Sequence, residues 1–181
     1  MEIRRDVEVL PPIRLAPGGA FEDLDFAYEV DVLHDVVVRR LPEGTEAPWP
    51  RVSWLHTDVV VEPRAGRPVD PQLARAALPP AAAAYNYFHL VWELCAGAWV
   101  ADRLAGPVDL VNTSLDWTRP MVTDALGTLV PRSTLHHLDE GIEIAVAELL
   151  VPRFWLRPRG GEQEHFERPR WAAAGYSRAY V

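Results

Sequence analysis

The sequence predicts an α/β fold, a sandwich with a mostly parallel sheet, preceded by a small antiparallel β region. Three observations carry this. Residues 26–63 are rich in alternating and β-branched stretches. The strongest helical pattern in the chain runs from about Ala82 to Leu104. From there to residue 152, helix, strand, helix and strand follow one another, the order that builds parallel strands with helical crossovers.

Each element has its own reason. The first twenty residues, punctuated by Pro11, Pro12, Pro17 and Gly18–Gly19, read as an extended arm, assigned to residues 1–25. AYEVDVL, HDVVVRRL and VSWLHTDVVVEP then read as three or four strands, antiparallel where short turns join them. A short helix is expected from Pro71 to Ala77, ended by Pro79 and Pro80. The long helix closes at Gly106, with Pro107 preventing continuation. VDLVN, at 108–112, is a short apolar strand. WTRPMVTDALGTLV is a second helix, with Pro120 in its first turn and Asp116 or Thr118 as cap. STLHHL at 133–138 is a strand candidate, and IEIAVAELLVP at 142–152 suits strand by alternation and helix by content. The expected domain covers 26–150, with 151–181 as an Arg/Pro-rich tail.

Composition narrows the function classes. The chain has 181 residues and 49% apolar content, enough for one sizeable core. Every basic residue is arginine, a bias that resembles the coding of a GC-rich bacterial genome. A net charge of −8 argues against a general nucleic-acid binder, which needs a basic surface. Residues 151–181 hold six Arg against three Glu, a basic end on an acidic body. The single cysteine, Cys95, rules out an internal disulfide and reads as a small buried hydrophobe. No signal-peptide stretch precedes the first prolines, and residues 81–101 carry Asn86, His89 and Glu93, polar groups that disfavour a membrane span. A cytoplasmic location is the resulting expectation.

Asn86, His89 and Glu93 stand at i, i+3 and i+7, on one helical face that continues into Gly97 and Val100. A carboxylate one turn from an imidazole can fix its tautomer and make it a better base toward a hydroxyl. The same three residues would equally serve as a polar network satisfied inside the core. His136 and His137, side by side in a strand, would face opposite ways and could not share a metal ion. Asp23-Leu24-Asp25 matches the acidic pair with which many sugar transferases hold a divalent ion. Two acids one residue apart are common by chance, however, and this pair lies too near the N-terminus to follow a nucleotide-binding unit. His56 and Asp58 would share a strand face as a surface pair. No P-loop, G-x-G-x-x-G, G-x-S-x-G or H-E-x-x-H occurs, and no cofactor is indicated. PRFWLRPRGG interleaves Arg153, Arg157 and Arg159 with Phe154 and Trp155, a stretch able to clamp phosphate or stay solvated.

TDVVVEP, followed by Asn86-Tyr87-Phe88-His89 with Glu93-Leu94 four residues on, resembles the N-terminal half of family 61 glycosyltransferases. Asp109-Leu110-Val111, Ala125-Leu126-Gly127 and Leu149-Leu150-Val151-Pro152 take the matching later places, so the likeness spans about residues 30–155. It implies a Rossmann-like, three-layer domain of the GT-B N-terminal type. It further implies a transferase of polysaccharide biosynthesis, with His89 as base, Glu93 orienting it, and Asn86 and Tyr87 at a glycan or saccharide acceptor. Arg153, Arg157 and Arg159 would face the diphosphate of a sugar nucleotide. The segment that holds the sugar nucleotide in that family has no counterpart in these residues, so the likeness implies an acceptor-side half, completed by a second domain or chain. A non-catalytic α/β binding or interaction module, which takes a partner protein, a glycan or a second copy of itself, is the alternative. A small hydrolase built on His89 and Glu93 lacks a nucleophile at any telling spacing.

Overall fold

The computed structural model describes residues 4–9, 13–14, 24–42, 44–45, 58–64, 72–80, 86 and 89–158. They form an α/β fold around a single mixed sheet. Its strands are β1 (Arg4–Val9), β2 (Ile13–Arg14), β3 (Leu24–Arg40), β4 (Val59–Pro63), β5 (Leu73–Ala77), β6 (Asp109–Asn112), β7 (Leu135–His137) and β8 (Glu143–Pro158). The order is β1-β3-β8-β5-β6-β7, with β2 and β4 also paired to β3. β8, β5, β6 and β7 are parallel to their neighbours in that run. β3 is antiparallel to all four of its partners.

The two long strands form the spine, in register from Leu24 opposite Pro158 to Arg39 opposite Glu143. Strand residues normally alternate between faces, yet Leu33 shares an apolar cluster with Val36 and Val38. β8 shows the same parity change, since Val146 and Leu149 occupy that cluster together. The switch falls at Asp35, which adopts φ 52°. Aspartate tolerates this left-handed conformation better than most side chains. Arg64, just beyond β4, holds it there: its N–H donates to the Asp35 carbonyl at 2.7 Å, and its guanidinium to Asp35 Oδ1 at 2.7 Å.

Two crossovers position the helices. β5 reaches β6 through a π-helical segment, His89–Cys95, that continues as α1 (Ala96–Ala105); β6 reaches β7 through α2 (Arg119–Leu129). Successive parallel connections of one hand, stepping the same way along a sheet, place their helices on one face. Accordingly Leu94, Ala98, Ala101, Val122 and Leu126 share a core with Ala77, Leu110 and Leu150. The opposite core, including Val38, Ala76, Val111, Leu138 and Leu149, takes no helical residue among the described residues. The described helices therefore make one layer, on one face of the sheet.

Several elements sit where the sequence places them, among them β6, α2 and β7. α1 ends at Gly106, whose φ of 77° suits a residue without Cβ and whose N–H donates to Asp102 O at 2.9 Å. Thr118 occupies the N-cap of α2, but its hydroxyl donates to Leu115 O at 2.9 Å and caps nothing. Gly97 lets α1 lie close to the sheet, because a Cβ there would stand 3.4 Å from Pro152 Cβ and 3.6 Å from Pro79 Cβ. Burial pushes the Cys95 thiol pKa up, as fits an apolar filler. No helix among the described residues is long and apolar enough to cross a membrane.

Other expectations change. Residues 73–77 are a strand, β5, because Ala76 and Ala77 gain parallel partners on both sides, and a helix of so few residues gains too little to form. AYEVDVL and HDVVVRRL are halves of one strand, β3, turned at Asp35. The extended arm contributes β1 and β2, both hydrogen-bonded to β3. β8 runs on to Pro158, so a tail beginning at 151 would cut a paired strand. Most of the expected first turns of the long helix, 82–85, 87 and 88, lie outside the described residues.

α2 offers a clear test of helix energetics. Gly127 is exposed, and a Cβ added there meets nothing within 4 Å. Gly127→Ala is expected to raise stability by about 1 kcal/mol, read as a higher urea midpoint at unchanged m-value.

Candidate functional site

The parallel strands end on one edge. Ligands of open α/β sheets bind outside such carboxyl ends, and the polar residues of interest collect there. β5 ends at Ala77 opposite Leu150, and β8 continues eight residues past that point, to Pro158. The chain leaving β5 enters the π-helical segment at His89 and returns along α1 toward β6, so His89 stands at the carboxyl side.

A π-helix widens the turn and bonds i to i+5; such segments are rare and concentrate at functional sites. Here it replaces the regular α-helix that the sequence predicts for these residues. Within this segment His89 Nδ1 lies 2.8 Å from Glu93 Oε2, off the line of the ring N–H. The Glu93 side chain is 1% exposed and the His89 ring 21%. A buried carboxylate beside Nδ1 favours the tautomer with its proton there, which makes Nε2 the acceptor atom of the ring. Leu90 and Leu94 seat the segment against Val122 and Leu126 of α2. Asn86 is exposed at the mouth of the segment, and its carbonyl accepts from Leu90 N–H at 2.9 Å.

Of the other expected residues, Tyr87 and Arg159 lie outside the described residues. Arg153 and Arg157 lie in the projecting end of β8, in register with Glu29 and Asp25 of β3.

A second group on this edge carries no motif. Asn112, 1% exposed, ends β6. Its Oδ1 accepts the Ser114 backbone N–H at 3.0 Å, and that donor fixes which end of the amide is oxygen. Its Nδ2, 3.0 Å from His137 Nδ1, is therefore a donor, and His137 holds its own proton on Nε2. Burial, together with the Arg119 guanidinium, lowers the His137 pKa, with Asp139 opposing. Arg119 Nη2 donates to Asp116 Oδ1 at 2.7 Å and to Asp139 Oδ1 at 2.6 Å. Ser114 Oγ is buried with no hydrogen-bond partner among the described residues. A neutral His137 with Nδ1 occupied by an amide donor has only an N–H to offer, so it is no base for Ser114, and a Ser-His hydrolase does not fit this geometry.

His136 and His137 turn to different partners. His136 Nε2 meets Asp109 Oδ1 at 2.8 Å, and His137 meets Asn112. Among the described residues no group of three His, Cys, Asp or Glu is placed to hold a metal ion.

The depressed His137 pKa sets a pH dependence. The unfolded ring takes a proton near 6.5 while the folded ring resists it, so this contribution is complete above that pH and is lost as pH falls through it. His137→Gln, whose side-chain oxygen can still accept from Asn112, is expected to lose less stability than the natural protein between pH 7.5 and 5.5 in urea melts.

No family model, curated protein or solved structure matches this chain.

Proposed function

We propose that this chain is the acceptor-binding half of a glycosyltransferase, a Rossmann-like domain of the GT-B type whose carboxyl edge receives a saccharide. The observation that supports it best is the His89–Glu93 pair: a buried carboxylate backing a partly open imidazole, on the sheet edge where α/β folds take ligands. In this reading His89 Nε2 accepts the proton of an acceptor hydroxyl. The imidazolium so formed is stabilised by Glu93 across 2.8 Å. Asn86 and Tyr87 contact the acceptor. A second domain or chain brings the sugar nucleotide, and this reading assigns its diphosphate to Arg153, Arg157 and Arg159.

Calorimetric titration of the chain tests this. Methyl glycosides and short oligosaccharides are expected to bind, and sugar nucleotides are not. His89→Gln, melting as the natural protein does, should weaken saccharide binding by about tenfold, the size of one lost hydrogen bond to a charged or strongly polarised group. Tight binding of a sugar nucleotide to this chain alone would defeat the acceptor-half reading.

The second reading is a non-catalytic binding module. The modest exposure of the His89 ring favours it. It predicts that, once the chain is supplied with a donor-binding partner, saccharide is bound and never elongated.

A further inference from the structure

We infer that Trp117, His137 and the Asp116–Arg119–Asp139 cluster form a second saccharide subsite on the same edge, one that takes an uncharged hydroxylated ring. The inference rests on the saccharide reading of this edge and extends it to residues that reading does not use. Trp117 is 69% exposed, unusual for so large an apolar side chain, and stands in the loop between β6 and α2. Beside it in sequence are Asp116 and Arg119, and the Arg119 guanidinium ties that loop to Asp139 just past β7.

Three features select the ligand. The flat face of an indole matches the C–H face of a sugar ring, an apolar body with polar edges. His137 Nε2–H has no hydrogen-bond partner among the described residues, and Asn112 locks its other nitrogen, so it presents a fixed donor. The Asp116 and Asp139 side chains, 88% and 59% exposed, keep lone pairs free to accept from hydroxyls. Charge excludes the main competitor. One guanidinium against two carboxylates leaves the cluster net negative with His137 neutral, which disfavours phosphate or carboxylate ligands. A neutral polyol ring satisfies donor, acceptors and aromatic face together.

The test compares variants of the full chain in titrations with methyl glycosides, short oligosaccharides and inorganic phosphate. Trp117→Ala alters an exposed position and should fold normally, checked by its melt. It is expected to weaken oligosaccharide binding about tenfold. His137→Phe should weaken it several-fold, and phosphate should not bind. If oligosaccharide binding falls in His89→Gln but stays within twofold in both Trp117→Ala and His137→Phe, the subsite is wrong and the acceptor reading survives. Saccharide binding that depends on Trp117 and His137 but is indifferent to His89 supports the subsite and removes the base. Phosphate binding lost in Arg119→Gln would overturn the uncharged-ligand assignment. No saccharide binding to the natural chain would overturn both.

Discussion

Asp58→Ala is expected to destabilise the fold by about 3 kcal/mol, at the lower end of the range for breaking a buried ion pair. Arg40 ends β3 with its side chain only 7% exposed, and Arg40 Nε donates to Asp58 Oδ2 at 2.9 Å. Asp58 precedes β4, and its carbonyl also accepts the Leu41 N–H at 2.8 Å. Removing the carboxylate strands a guanidinium where water cannot fully replace its partner, whereas the backbone bond survives. The cost is placed at the lower end because the Asp58 side chain is itself 20% exposed. Chemical denaturation of the single variants and of the double variant Arg40→Met/Asp58→Ala separates the causes. The double variant should recover much of the loss, since it leaves no buried charge behind. A single variant as stable as the natural protein would show that the pair is solvated.

Leu94→Ala should cost about 2–5 kcal/mol, the range for truncating a buried leucine. Leu94 is 0% exposed and packs in the core shared by the π-helical segment, α2 and the sheet. It also neighbours Glu93, so the cavity would loosen the carboxylate's seat as well as the core. Two measurements follow: a lower urea midpoint, and weaker saccharide binding under conditions where the variant remains folded. A loss of stability with unchanged binding would separate the segment's packing from its role at the edge.

Much of the fold was legible because periodicity and punctuation agree. Val108–Asn112, the Pro120 helix and Leu135–Leu138 are short, well bounded and locally consistent. β5 was not, since Leu-Ala-Arg-Ala-Ala has helical content and becomes a strand only through partners distant in sequence, β6 and β8. The single strand through Asp35 was read as two because the alternation breaks there, and only backbone geometry shows a turn within a continuous ladder. The His89–Glu93 contact followed from four-residue spacing, although the π-helical bonding of the segment leaves no periodic trace. Asn112, Ser114 and Arg119 were passed over because no motif marks them. The available signal was positional: a polar Asn-Thr-Ser directly after an apolar strand and before a helix, where parallel sheets open to ligands.

The widened turn at His89–Cys95 has a consequence for how this chain tolerates length changes. It is the geometry a helix takes when one residue is spliced into it. Deleting a single residue between Leu90 and Trp92 would let the backbone relax to ordinary α-helical bonding, so the variant could fold well. His89 and Glu93 would then stand three residues apart, still neighbours on one α-helical face, with the upstream chain drawn in by about 1.5 Å along the axis. The pair would thus survive a one-codon deletion, and the scaffold with it.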